Sequence, residues 1–437
     1  MKNVRMVPIA LVCVFMSILS AGCNNNTWEK TSMYDEGDSA IHIVAVTPKA
    51  LQAPAAYGKL DPVVAAVSGG ANDFAFRLSA ALAKQSGDKN LVCSPYSVWL
   101  PLAALLNATD SQYKEALITA LGVAGIGEAD INKASSRMLY DLTRHYHNPL
   151  KIVNAIFVDN DVTLKKTFAQ TFMDYYRGTS MNVDFASPDA VAAVNKWASD
   201  NTDGLITDII QEFNPDTLAA IANAIYFSDR WEWEFSPNQT KKNTFHSPTG
   251  ETEAWYMLRE GDKQLYYEDD TVQAMPLRFK TSGGMYIILP KDGNATGLLS
   301  SMTNGDLKKI QHGLDIAKGK LLLPHFSIKS DVMQLMGTLT ALGIPLTDAD
   351  ALPINGLIED AALYVSSALH KAMIEVDEKG TTAAAVTVIG MEGSAGPQPP
   401  PPKTFEMICD KPFVFVLYGD TVDNGSQILF TGMVNRP

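Results

Sequence analysis

Gly380-Thr381-Thr382-Ala383-Ala384-Ala385-Val386-Thr387-Val388-Ile389-Gly390-Met391 is a run of twelve residues without a charge or a proline. Such a run can enter a β-sheet. As a strand it would put Thr381, Ala383, Ala385, Thr387, Ile389 and Met391 on one face, all small or apolar, so that face could be buried without stranding an ion. At about 3.3 Å per residue it reaches on the order of 40 Å, the length of a long central strand. Beyond it, Pro397-Gln398-Pro399-Pro400-Pro401-Pro402 removes backbone donors and fixes φ, so any insertable stretch must end before Pro397. Composition alone leaves an edge strand or a plain loop equally open.

Outward from this run, the chain of 437 residues is 46% hydrophobic, which fits one large globular domain or two average ones. Its 35 basic and 48 acidic side chains give a net charge of -13, so electrostatics oppose nucleic acid and anionic membrane as partners.

Lys2 and Arg5 precede a mostly apolar run from Met6 to Leu19, then Ser20, Ala21, Gly22 and Cys23. That order reads as an export signal over 1–22, too short for a comfortable membrane span. Small residues directly before a cysteine resemble the lipobox of bacterial lipoproteins and make Cys23 the lipidated residue, with ordinary cleavage as the alternative. The expected location is therefore lipid-anchored in the cell envelope or at the cell surface, with the lipid as the sole membrane contact. Processing removes Cys13 and leaves Cys93 and Cys409, which read as free buried thiols. Neither a metal nor a cofactor is expected.

Residues 23–70 mix polar residues with Pro and Gly and read as a tether closed by Ser68-Gly69-Gly70, which starts the folded domain at residue 71. Asn72 is placed to cap a helix carrying Phe74, Leu78 and Leu82 on one face; Ser111 to Leu121 reads as a helix stopped by Gly122; and Ser187-Pro188 opens another through Val191, Val194 and Trp197. Strand signals mark Ile152 to Val158, Met285 to Leu289, Lys320 to Ile328, Phe413 to Tyr418 and Ile428 to Val434. Helices early and strands late predict an α+β fold.

Fixed-spacing signatures of a nucleophile elbow, a zinc helix, a phosphate loop or a dinucleotide site are missing from the sequence. Glu392-Gly393-Ser394-Ala395-Gly396 lacks the first glycine of an elbow. His145 and His147 have no obvious third ligand nearby and read as a surface pair. A hydrolase is accordingly disfavoured.

Several motifs resemble the serpin family from about residue 71 to Pro437. They are Asn90-Leu91-Val92-Cys93-Ser94-Pro95-Tyr96-Ser97-Val98; Val194-Asn195-Lys196-Trp197 with Thr202-Asp203-Gly204; and Ala222-Asn223-Ala224-Ile225-Tyr226-Phe227 followed by Trp231 and Phe235. His370-Lys371-Ala372, Val376-Asp377-Glu378-Lys379-Gly380-Thr381 with its alanines, Lys411-Pro412-Phe413-Val414-Phe415 and Leu429-Phe430-Thr431-Gly432 complete the set. The chain departs from the pattern at Ser228-Asp229, at Leu346 and in the proline-rich lengthening of the loop.

The resemblance implies a helix-rich N-terminal half packed on a large central β-sheet, two further sheets, and an exposed reactive-centre loop over about 378–404. It implies an inhibitor, not an enzyme. A serine protease, with a cysteine protease as a second partner class, would cut the loop and be held as a covalent acyl-enzyme while the hinge of Glu378, Gly380, Thr381, Ala383 and Ala385 inserts into the main sheet. Hinge spacing puts the reactive bond at Ser394-Ala395, within a window from Met391 to Gly396. No Arg or Lys lies just before that bond, which favours an elastase-like or subtilisin-like target, while Glu392 keeps a Glu-cutting one open. Ser94, Ser97, Asn223 and His370 match the family's polar cluster under the sheet, with a conformational role. A monomer is expected. The alternative is a non-inhibitory serpin acting as a surface binding protein.

Overall fold

The computed structural model describes residues 6–16, 61–144, 150–202, 204, 207–346, 353–359, 362–380, 403–421 and 425–437. In chain order the strands are β1 (Met6–Met16), β2 (Leu91–Cys93), β3 (Leu150–Asp159), β4 (Gly178–Val183), β5 (Ala219–Phe227), β6 (Lys241–Ser247), β7 (Gly250–Glu268), β8 (Val272–Arg278) and β9 (Gly284–Pro290). They continue with β10 (Asp315–Pro324), β11 (Phe326–Lys329), β12 (Met333–Gln334), β13 (Ala362–Lys371), β14 (Met373–Val376), β15 (Lys403–Ile408), β16 (Phe413–Thr421) and β17 (Gly425–Val434). Helices α1 (Pro62–Ser86), α2 (Pro95–Leu105), α3 (Ser111–Ala120), α4 (Glu128–Thr143), α5 (Lys166–Tyr176) and α6 (Pro188–Asn201) come early, and α7 (Ala295–Ser301), α8 (Asn304–His312) and α9 (Met336–Ala341) are short and late.

The strands make a six-stranded sheet in the order β12-β13-β1-β5-β3-β4, a nine-stranded sheet from β15 to β2 with β6 on β7, and the pair β11-β14. In the first, β5 is buried along nearly its whole length and alternates between two cores. Ile221, Ile225 and Phe227 join the main helix-packed core, while Ala220, Ala222 and Ala224 meet α6 through a second core with Phe157, Val194 and Trp197. Small side chains on one face and large ones on the other let helices pack at different depths on one strand.

Under the large-residue face runs α2, every residue of which is buried. Its start follows the sequence: Pro95 opens the helix after Ser94, whose backbone is extended. The expected cap at Ser187 is also present, its hydroxyl accepting from Asp189 N at 3.2 Å.

Three expectations change. The tether ends earlier than residue 70, because α1 begins at Pro62, capped by the Asp61 carboxylate, which accepts from Val63 N at 2.9 Å. Gly69 and Gly70 lie inside the helix, and a Cβ on Gly70 would come within 2.2 Å of the Gly122 carbonyl oxygen. Gly70, set against Gly122, marks a close helix-to-turn approach, not a linker. Asn72 is no cap either: buried mid-helix, its Oδ1 accepts from Ile428 N and Gln427 Nε2, both at 2.9 Å. Lastly, the run Lys320 to Ile328 is two strands, β10 and β11, which join different sheets on either side of His325.

Met6–Met16, the core of the expected export signal, is a strand of the six-stranded sheet. It pairs in parallel with β13 from Met6↔Ala362 to Val14↔Lys371 and with β5 from Ile9↔Ala219 to Met16↔Tyr226. Pro8 falls outside the β5 pairing, so its missing N–H costs nothing on that side.

Candidate hinge and sheet-opening site

The hinge begins where β14 ends. Residues Asp377 to Gly380 form a turn held from outside by the segment after β5. Trp231 N donates to Lys379 O at 3.1 Å and Phe235 N to Glu378 O at 2.8 Å, while the Trp231 indole N–H donates to Asp377 O at 3.0 Å. The indole is 1% exposed and stacks on Phe279 at 4.8 Å between centroids, 8° from parallel. Gly380 has φ +89°, and a Cβ there would lie 2.3 Å from Trp231 N, so only glycine fits.

Acidic side chains crowd this turn. Burial, then Asp377, pushes the Glu375 carboxyl up, and burial does the same at Asp377. Glu378 goes the other way: burial works against its charge, but the Thr240 hydroxyl, donating at 2.6 Å, its own backbone N–H and His325 hold the carboxyl below its ordinary range.

The four polar residues expected from the sequence form two bonded pairs, Ser97 with Asn223 and Ser94 with His370. Ser97 Oγ donates to Asn223 Oδ1 at 2.6 Å, and Ser94 Oγ donates to Leu429 O at 2.8 Å. Ser94 N donates to His370 Nε2 at 3.0 Å, so this nitrogen acts as an acceptor and is unprotonated in that bond. Neither serine hydroxyl is aimed at the imidazole, which leaves the cluster without a nucleophile and base pair.

Sequence reading missed the continuation of this network. Asn223 Nδ2 donates to Asn154 Oδ1 at 2.8 Å, and Asn154 Nδ2 donates to Tyr176 O at 2.6 Å. Asn154 is 1% exposed. An asparagine within the apolar run Ile152 to Val158 was the available signal, because a buried amide requires partners.

Asn223 and His370 stand on β5 and β13, the two strands that flank β1, and both pair with Cys13 of that strand. The cluster thus spans the seam of the sheet, with α2 beneath it.

Of the other expected site residues, Glu378 and Gly380 are in the turn just described. Thr381, Ala383, Ala385, the reactive bond Ser394-Ala395, the window Met391 to Gly396, the lipidation site Cys23 and the pair His145 and His147 lie outside the described residues. The loop's far end returns at Lys403, where β15 pairs in parallel with β10, Lys403 opposite Ala317. Cys93 and Cys409 are free and buried, and burial raises both thiols, Cys93 to about 11. Of the departures, Asp229 is structural: its Oδ2 accepts from Thr281 N at 3.0 Å, tying the end of β5 to the turn after β8. Leu346 is a buried core residue.

Comparison with known proteins agrees with this architecture. The family model Serpin (serine protease inhibitor) matches residues 69–437, and the chain belongs to the serpin family. An uncharacterized serpin-like protein of Thermococcus kodakarensis is 30% identical over 391 residues, 87% of each chain. The alpha-1-antiproteinase of Rattus norvegicus is 30% identical over 384 residues, 86% of this chain and 90% of that one. Among solved structures, the thermophilic serpin tengpin in its native state has a TM-score of 0.75 at 23% identity, covering 90% of this chain and 100% of that one. Human thyroxine-binding globulin complexed with thyroxine has a TM-score of 0.74 at 24% identity, covering 86% and 99%. At these identities the two structures speak for the fold alone. The family as a whole inhibits proteases, although some members are non-inhibitory.

Proposed function

We propose that this serpin inhibits serine-type endopeptidases by suicide trapping. The protease cuts near Ser394-Ala395, the acyl-enzyme persists, and the chain from Thr381 onward enters the main sheet between β5 and β13. An elastase-like or subtilisin-like protease is the target, and the protein acts as a monomer. The supporting observation is the seam itself: between β5 and β13 there is room for one more strand with backbone partners on both sides, filled here by the eleven residues of β1. The cut loop, reversing at Gly380, would run antiparallel to β13. The uncharged small run after Gly380 supplies what a central strand position with a buried face requires.

Export fits the same reading. Removal of residues 1–22 takes β1 away and leaves the seam to the loop, while Cys23 receives the lipid that holds the inhibitor at the envelope.

The test is to mix purified residues 24–437 with pancreatic elastase, subtilisin and trypsin and to run denaturing gels. Trapping predicts a complex with elastase or subtilisin that survives denaturation, with matching loss of protease activity. Clean cleavage with full activity across the panel would favour a non-inhibitory binding protein.

A further inference from the structure

Met6–Met16 carries no charge and fills the seam from end to end. On one side it follows β13 along that strand's whole length, Met6 opposite Ala362 and Val14 opposite Lys371; on the other it follows β5 from Ala219 to Tyr226. The pairing with β13 slips once, between Ile9 and Ala10, one residue past Pro8, whose nitrogen has no proton to donate. With α2 packed beneath β1, a strand in the seam has backbone partners on two sides and one buried face. Such a site binds extended chain mainly through its backbone and accepts many sequences, provided that they are uncharged on the buried side.

The direction of this strand matters as much as its place. β1 runs parallel to both neighbours, so its last residue, Met16, lies opposite Tyr226 at the far end of β5. Gly380 bridges to Arg230, just past that same end. A hinge peeling in from Gly380 would therefore meet the seam where Met16 already stands.

We infer that the seam is a strand-binding site whose resident ligand is the chain's own segment Met6–Met16: a chain that keeps this segment is closed to its loop, and a chain that lacks it is open. Two strands cannot share one set of backbone partners. The order of events favours the segment, which is present from the start, whereas the loop is free to enter only once it has been cut. Being tethered to the same chain through the residues before Asp61, the segment also returns to the seam at high effective concentration. Trapping is a race between insertion and escape of the protease. A loop that must first displace a strand paired on both sides loses that race, and the chain is cut as a substrate. Trapping is thereby confined to chains that have shed residues 1–22.

This inference rests on the trapping reading for its consequence but not for the occupancy of the seam, so two measurements separate them. Cell-free translation without membranes supplies the full chain with the segment kept. Hydrogen exchange, read by mass spectrometry on peptides covering β5 and β13, compares it with Leu11→Pro, which puts a residue without an N–H between Ile221 and Ala368. The family match begins at residue 69, so this change lies outside the matched domain. Amides of β5 and β13 should exchange at least about tenfold more slowly in the full chain than in the variant; equal rates would overturn the inference. The full chain, the variant and residues 24–437 are then mixed with elastase and subtilisin. The full chain should be cut in the loop yet form at least about tenfold less denaturation-resistant complex than residues 24–437, and Leu11→Pro should restore it. Equal trapping by the full chain and residues 24–437 would overturn closure. Absence of complex from all three counts against the inhibitor reading and leaves the exchange result to decide the occupancy.

Discussion

Trp231 holds the Asp377 to Gly380 turn at two points, its indole N–H on the Asp377 carbonyl at 3.0 Å and its backbone N–H on the Lys379 carbonyl at 3.1 Å. One buried residue, its ring packed flat on Phe279, thereby anchors the turn at which the candidate hinge begins. Trp231→Phe keeps a ring on Phe279 but removes the indole donor and should cost about 1 kcal/mol. Trp231→Ala should cost about 3–5 kcal/mol through the cavity it leaves. Urea unfolding measures both, and a Phe variant as stable as the parent would remove the indole bond from the account.

The network from Ser97 through Asn223 to Asn154 should behave as a unit. Asn223→Ala leaves the Ser97 hydroxyl and the Asn154 amide short of a partner in a buried site, at a cost of about 1–3 kcal/mol. In a double-mutant cycle Ser97→Ala and Asn223→Ala should couple by at least about 0.5 kcal/mol. Additive losses would mean that the two side chains do not depend on each other.

Much of this site was legible before any coordinates. Ser94, Ser97, Asn223 and His370 come from distant parts of the chain, and only the family motifs brought them together; their types alone would have passed as unrelated buried polar residues. Asn154 escaped because its segment reads as an apolar strand, and strand periodicity carries no information about which polar partner lies across the sheet. The start of α1 was missed because Gly69-Gly70 looks like a linker to any local rule, whereas the close approach to Gly122 that calls for a small residue is a tertiary fact. The division of Lys320 to Ile328 was hidden for a similar reason: both strands are apolar, and the change of sheet occurs at one residue.

A strand inserted at the seam turns alternate residues toward the buried face over α2, which cannot accept a charge. Thr381→Arg or Ala383→Arg should leave recognition and cleavage by the protease intact and turn the inhibitor into a substrate, with denaturation-resistant complex falling at least about tenfold. Densitometry of such gels gives the ratio of complex to cleaved product. Arg variants that trap as well as the parent would show that these residues do not enter the sheet.

On the trapping reading, the reactive bond is placed by counting along the hinge from Glu378. Cleavage is expected between Met391 and Gly396, so the C-terminal fragment should begin at one of the residues from Glu392 to Gly396. Intact-mass spectrometry of that fragment after limited exposure to elastase or subtilisin reads its first residue directly. A start outside this range would break the counting from Glu378.

The central claim is that the cut loop becomes a strand between β5 and β13, and the thermal midpoint of the cut protein tests it most directly. Residues 24–437, cleaved in the loop and freed of protease, should unfold at least about 10 °C above the intact protein, because an added central strand is paired on both sides. A cleaved protein that melts at or below the midpoint of the intact one would contradict insertion.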